Sequence, residues 1–319
     1  MRYDFAPMEG LTDSVYRRLH HQYFGGVDRY YIPFFSPTAH KKLTAREERE
    51  LPVASAVPFT AVPQVLTRSP EDFLWAAGVC RDRGYAEINL NLGCPSGTVT
   101  AKGKGSGLLA RPDDLARLLD EIFRDPPLPV SVKTRLGFRS PEEFPALLEI
   151  FNRYPIRELI VHLRTREEFY SGAAHGEWFR YAAEQSKNPL CYNGDVRTRA
   201  DAARIAREFP GANSVMIGRG LIADPGMLLP QPTRAETLER FYDALLSEYL
   251  TVLGGSRNAM FRLKESWSYL LPRLSGLEKQ GKRLRKATDL GTYRAVTGEI
   301  FQILKEREQD GRTAVPTVD

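Results

Sequence analysis

The chain has 319 residues, 42% of them hydrophobic, which suffices to bury a large core as one big domain or two. A formal net charge of +5 makes it modestly basic and sets it apart from acidic, solvating chains. No apolar run approaches the roughly 18 residues that cross a bilayer. Three cysteines in no CxxC pair argue against both a disulfide framework and a zinc site, so no metal is expected. The first six residues include Asp4 and no long apolar stretch, so no secretory leader is expected and a cytoplasmic location is.

In chain order, short apolar runs at 3–7, 29–34, 62–66, 86–91, 129–133, 158–162, 190–193 and 214–218 read as strands. Helix-like segments separate them. Three of these open on Ser69-Pro70-Glu71-Asp72, Arg111-Pro112-Asp113-Asp114 and Ser140-Pro141-Glu142-Glu143, each with proline at or near the first helical position and acids in the first turn. Thr198-Arg199-Ala200-Asp201 opens another. Eight strands with helical crossovers predict a (β/α)8 TIM barrel over residues 1–232. After Pro230-Gln231-Pro232 the texture becomes helix-prone, with Phe241, Leu245, Leu246, Tyr249 and Leu250 at helical spacing. Residues 233–310 are therefore expected to form an all-helical domain of about four helices, divided at Gly254-Gly255, Pro272, Gly276 and Gly291, and 311–319 a frayed tail. Between Arg257 and Lys286 nine basic residues face only two acids, Glu265 and Glu278, the concentration a phosphate-binding surface requires.

Strand ends are where a barrel keeps its chemistry. The predicted ends carry Gln64, Asn91, Lys133, His162, Asn193, Asp195, Gly218 and Arg219, polar residues that do not suit a core. The stretch around Cys94 is the most distinctive. A buried strand, Ile88-Asn89-Leu90-Asn91-Leu92, runs into Gly93-Cys94-Pro95 and then a loop with glycine at 97, 103, 105 and 107. Most cysteines are inert packing, and Cys80 and Cys191 fit that description. Cys94 does not, because glycine and proline neighbours do not build a packed interior. Asn193-Gly194-Asp195 and Gly218-Arg219-Gly220 follow the last two strands, where barrels often bind phosphate through glycine-turn N–H groups. A buried Lys133 would need an anionic partner. Thr12 and Asp13 read as a helix cap, and His20, His21 and His40 as packing or surface residues.

These residues together resemble the tRNA-dihydrouridine synthases. The cysteine signature, with Val99, Gly105 and Ser106, is joined by Ala6-Pro7-Met8-Glu9-Gly10, Pro63-Gln64, Lys133-Thr134-Arg135, Val161 to Arg166, Asn193-Gly194-Asp195 and Met216 to Gly220 in the family's order. The likeness covers residues 6 to about 220. It implies an FMN-binding barrel and a helical RNA-binding domain that reduce uridine to 5,6-dihydrouridine, with NADPH as reductant and a D-loop uridine of tRNA as substrate. By the resemblance, Pro7, Met8 and Gln64 would touch the isoalloxazine. Lys133 would lie near its N1 and O2, with His162 close by, and Asn193, Gly194, Asp195, Gly218 and Arg219 would hold the FMN phosphate. Asn91, Arg135 and Tyr170 would contact the target base, and Cys94 would protonate uracil C5 as general acid. A thiol suits that task because its ordinary pKa of roughly 8.5 leaves it protonated near neutrality. The basic helices and the barrel mouth would meet the RNA, and a monomer is expected. The sequence departs from the family's usual pattern at Lys102 and Lys104 in the glycine loop and at Thr134. A small-enone reductase on the same barrel, or a flavin-bearing RNA-binding protein without turnover, are the competing readings.

Overall fold

The computed structural model describes residues 1–315. By internal packing these fall into two units, one of residues 1–7, 28–195 and 203–217, the other of residues 8–27, 196–202 and 218 onward. The first holds eight strands: β1 (Arg2–Phe5), β2 (Arg29–Phe35), β3 (Thr60–Val65), β4 (Ile88–Leu92), β5 (Val130–Arg135), β6 (Leu159–His162), β7 (Leu190–Asn193) and β8 (Ser214–Ile217). Every neighbouring pair is parallel and β8 returns to β1, closing a (β/α)8 barrel. Predicted and observed strands agree to within two residues. β1 stops at Phe5, just short of Pro7, which has no N–H to give to a ladder. β5 runs to Arg135 because Thr134 and Arg135 pair with Val161 and His162 on β6.

Most helix starts are the ones the sequence predicts. Ser69 caps Pro70–Asp82 by accepting the Asp72 N–H at 3.1 Å. The helix expected at Pro141 begins differently, as a 3-10 turn over Pro141–Glu143, and becomes α-helical only at Phe144–Phe151. The Glu143 carboxylate accepts the N–H groups of Phe138, Arg139 and Ser140, which draws the entering chain tight against the first turn.

Period-2 alternation sorts the inward side chains into layers. Nearest the strand starts is an ionic layer. Arg29 bonds to Asp4 at 2.5 and 3.0 Å, to Glu87 at 3.1 Å, and to Glu158. Glu158 also takes Arg2 at 2.5 Å and the Ser214 hydroxyl at 3.0 Å. Asp4, Glu158 and Cys191 lie close enough to suggest a metal cluster, but Arg29 already engages both carboxylates. Above it sits an apolar layer of Ala6, Tyr31, Val62, Ile160, Cys191 and Met216, all buried. Continuing the alternation one step further puts Gln64, Asn91, Lys133, His162 and Asn193 at the strand C-termini.

The second unit contains Ser14–Tyr23, the short helix Arg219–Ala223, and four long-chain helices, Ala235–Val252, Ser256–Leu270, Glu278–Lys286 and Leu290–Gln309. Gly254-Gly255 and Gly276 separate helices as expected. Gly291 does not: it lies in the first turn of the last helix, which Asp289 caps by accepting the Thr292 N–H at 2.8 Å. Trp267 anchors the core, donating to the Tyr293 hydroxyl at 2.9 Å and packing on Tyr242 and Phe301. Asp13 is the cap the sequence suggested, accepting the Tyr16 N–H at 3.0 Å. His20 is fully buried and burial pushes its pKa down to about 3, so it packs as a neutral ring. His40 is exposed. Ala314 and Val315 are buried, unlike a frayed tail, and the remainder of that predicted tail lies outside the described residues. Among the described residues no helix is long and apolar enough to cross a membrane.

Candidate active site

Three strands contribute a chain of polar side chains at and just below the upper layer. Gln64 on β3 donates to Asn89 Oδ1 at 2.7 Å, Asn89 donates to Ser131 Oγ at 2.9 Å, and Asn91 donates to Gln64 Oε1 at 2.8 Å. Asn91 Oδ1 accepts the N–H groups of Gly93 at 3.0 Å and Cys94 at 2.9 Å. A short amide at the end of a strand can bend its own chain this way, and here it fixes the turn that presents Cys94. On the other side Ser106 Oγ donates to the Cys94 carbonyl at 2.8 Å. Gly105, at φ +56°, fits beneath it: a β-carbon there would stand 3.1 Å from that of Cys94. Cys94 is thus held in place yet only half-buried. The other two thiols are buried, which pushes Cys80 up to about 12 and Cys191 well above its ordinary value. They are packing residues.

Beside the cysteine turn stand two cations on β5. Among the described residues the Lys133 ammonium makes no hydrogen bond or ion pair. Burial, reinforced by the neighbouring Arg135 charge, pushes its pKa down to about 7. Arg135 is 1% exposed and its pKa is lowered to about 10 by burial. Its Nε donates to the Gly93 carbonyl at 2.7 Å, and Nη1 to the carbonyls of Thr165 at 2.8 Å and Phe169 at 2.7 Å. Arg135 therefore ties the cysteine turn to the loop after β6.

That loop presents Tyr170, 55% exposed, with its ring 5.3 Å from the Arg135 guanidinium and 5.9 Å from the His162 ring. His162 is 6% exposed; its Nε2 lies 3.5 Å from Arg164 Nη1 and, since arginine can only donate, serves there as acceptor. Arg164, fully buried, donates to the carbonyls of Ser171 at 3.0 Å and Gly172 at 2.5 Å and pairs with Asp195 at 2.5 Å. Asp195 Oδ2 also accepts the Ala174 N–H at 3.0 Å, so its carboxylate braces the loop after β6. Asn193 donates to the Met216 carbonyl at 2.8 Å. Asp195 and Gly194 both have positive φ, +46° and +151°, and among the described residues the Gly194 N–H has no acceptor.

The barrel rim thus brings together Gln64, Asn91, Cys94, Lys133, Arg135, His162, Tyr170, Asn193, Gly194 and Asp195, with Pro7 half-buried just past β1. Met8, Gly218 and Arg219 belong to the second unit. The Met8 N–H donates to Thr12 Oγ1 at 2.9 Å, and Gly218 precedes the helix Arg219–Ala223. Sequence reasoning missed Asn89 and Ser131, which continue the polar chain, and did not name Asp195 as the ion-pair partner of Arg164. Alternating Asn89 and Asn91 on one strand was the available signal for the first two.

A family model described as dihydrouridine synthase (Dus) matches residues 4–260. The chain belongs to the dihydrouridine synthase family. The match runs further into the helical region than the motifs alone. Among similar proteins are the tRNA-dihydrouridine(16) synthase of Pseudomonas putida, 32% identical over 236 residues (71% of this chain, 72% of that one), and a probable tRNA-dihydrouridine synthase of Staphylococcus aureus, 32% identical over 254 residues (75% and 74%). A solved structure of 2-naphthoyl-CoA reductase with 2-naphthoyl-CoA superposes with a TM-score of 0.52 at 12% identity. It covers 71% of this chain, which spans about half of that one (49%), and the likeness is one of fold.

The residues of this family member fit a flavin phosphate cofactor on two counts. Gln64 and Asn91 each use one of two amide N–H donors, leaving one apiece for an acceptor-rich ring edge. Lys133 and Arg135 place two cations side by side and, among the described residues, neither pairs with a carboxylate, an arrangement an anionic ligand would stabilise.

The unliganded protein should show the cost of Lys133 directly. Its folded pKa is depressed, so between about 7 and the ordinary lysine value the unfolded chain binds more protons and stability rises with pH. Lys133→Met is expected to be more stable than the parent below pH 7, on the order of 2 kcal/mol, with the difference shrinking as pH rises through that window. Denaturant unfolding from pH 6 to 10 measures it; parallel curves would mean that the ammonium stays solvated.

Proposed function

We propose that this chain reduces the C5–C6 double bond of uridine in tRNA to give 5,6-dihydrouridine, with FMN bound at the barrel mouth and NADPH as the reductant. The observation that carries this reading is the half-buried Cys94 thiol, fixed by Asn91 and Ser106 on the same rim as the unpartnered Lys133. The names of the similar proteins support the substrate class.

The chemistry FMN would supply there is hydride delivery from N5 to uracil C6. Lys133 would hold the negative charge near flavin N1 and O2, the standard way a protein tunes this cofactor, with His162 beside it. Gln64 would bond the ring edge and Pro7 would pack on its face. The N–H of Gly194, with the backbone of Asn193 and Asp195, would receive the phosphate. The resemblance adds Met8, Gly218 and Arg219. Arg135 and Tyr170 would line the path of the base. Cys94 would then give its proton to C5 from the face opposite the hydride, and the negative charge building at C5 and O4 makes that proton transfer necessary. Asn91 supports the step by holding the cysteine turn.

A uridine in folded RNA must leave its stack to reach this rim, while its backbone remains outside. In the helical unit Arg257, Lys279, Lys282, Arg285 and Lys286 are exposed and, among the described residues, pair with no carboxylate. Lys264 instead caps the helix Glu278–Lys286 by donating to the Ala287 carbonyl, and Arg283 pairs with Glu299. The free cations suit RNA phosphates.

The test is to load the purified protein with FMN, add NADPH and a tRNA transcript, and map dihydrouridine position by position beside parallel assays on small quinones and enones. Conversion of a defined D-loop uridine is expected. Turnover of the small acceptors with the transcript untouched would establish the small-enone reading in its place.

A further inference from the structure

Next to the cysteine loop is a second concave feature with no part in the chemistry above. A cavity of about 320 Å³ opens between the loop after β3 and the start of the helix Pro112–Ile122, lined among others by Arg68, Gly103, Arg111 and Asp114. A β-carbon built on Gly103 would lie 3.6 Å from Nη1 of both Arg68 and Arg111, so the two nitrogens stand no more than twice that distance apart. Gly103 has φ +65°, a conformation that suits glycine, and its lack of a side chain leaves the space between the two guanidinium groups open.

The charges around this cavity are unevenly matched. Asp114 pairs with Arg117 and stands 3.9 Å from Arg111, and Glu121 bonds Arg124 at 2.6 Å. The acids are thus engaged mainly by arginines on their own helix. Arg68 makes no hydrogen bond or ion pair among the described residues, and neither do Lys102 and Lys104 on either side of Gly103. Asp113, also in the first helical turn, is exposed. Two guanidinium groups across an open gap form a fork for a tetrahedral anion, for which arginine supplies directed N–H donors.

We propose that Arg68 and Arg111 form a subsite for a phosphodiester of the RNA strand that carries the target uridine. The assignment rests on the proposed function. Its geometric basis is that Gly103 lies two residues from Gly105, which packs against Cys94, so one loop carries both the thiol and the phosphate subsite. A nucleotide turned out toward Cys94 leaves its flanking phosphates along that loop, where exposed arginines meet them without desolvation.

The experiment measures tRNA affinity across a series of salt concentrations for the parent protein, the Arg68→Ala/Arg111→Ala double variant and Asp114→Asn, with the KM for NADPH determined on the same proteins. The double variant is expected to bind roughly tenfold more weakly at ~0.1 M salt and to lose about one unit from the log–log salt slope. Asp114→Asn removes the nearest opposing charge and is expected to bind roughly two- to threefold more tightly, the size of one exposed charge interaction. Both exchanges are at exposed or half-buried positions, and their opposite signs separate the effect from misfolding. Unchanged affinity and slope in the double variant, while the parent reduces tRNA, would overturn the subsite alone. A raised KM for NADPH with RNA binding intact would assign the pocket to a dinucleotide phosphate and overturn the RNA assignment. A parent protein that neither binds nor reduces tRNA would defeat the function and the subsite together.

Discussion

Cys94→Ala is expected to lower dihydrouridine formation roughly 10²- to 10⁴-fold, the range a positioned general acid contributes. The turn that presents residue 94 is built from main-chain groups, through the Asn91 amide and Ser106 hydroxyl, and does not depend on the sulfur. The substitution should therefore leave the loop, FMN binding and RNA affinity close to those of the parent. Cys94→Ser keeps a hydroxyl at the same point, but a hydroxyl is a far weaker acid than a thiol near neutrality, so activity should stay low. Rapid-mixing assays that follow product in a single turnover, alongside RNA binding, measure both parts. An alanine variant that forms product at the parental rate would remove the thiol from the mechanism.

The second large effect concerns the floor of the barrel. Among the described residues Arg29 is the one cation that joins Asp4, Glu87 and Glu158, and the first and last of these carboxylates are 0% and 1% exposed. Burial raises the Asp4 pKa even with Arg29 in place. Arg29→Met leaves Asp4 and Glu158 with Arg2, and Glu87 with the more exposed Arg157, as their remaining cations, and a broken buried ion pair costs about 3–5 kcal/mol. The loss should depend on pH. Without Arg29 the folded-state pKa of Asp4 rises further above its unfolded value, so the folded chain binds more protons in that window and stability falls as pH increases. Unfolding of the variant should accordingly show a smaller deficit at pH 5 than at pH 8. A deficit under about 1 kcal/mol at both would mean that water or Arg2 already satisfies these groups.

Much of the upper rim could be read in the sequence because strand alternation is a strong local signal. Once the strand boundaries are known, the positions of Gln64, Asn91, Lys133, His162 and Asn193 at the barrel mouth follow from a period of two. Cys94 stood out because glycine and proline neighbours rarely surround a packed thiol. What residues do after the strands end was harder to read. Arg135 reaches carbonyls some thirty to forty residues away, and Arg164 finds Asp195 across two strands, contacts that exist only once the loops have folded back. Asn91 has the composition of a ligand-binding residue and the geometry of a turn-former, and only coordinates show its oxygen on the Cys94 N–H. The same holds for the start of Phe144–Phe151, where proline and acids announce a helix but the Glu143 carboxylate first tightens the chain into a 3-10 turn.

The central claim is that uracil receives hydride on one face and the Cys94 proton on the other. Reduction of tRNA in heavy water, followed by release of the modified nucleoside and NMR of its C5 and C6 hydrogens, reads that geometry directly. The account predicts deuterium at C5 trans to the hydrogen isotope added at C6, formed at a rate that collapses in Cys94→Ala. Addition of both on the same face would contradict it.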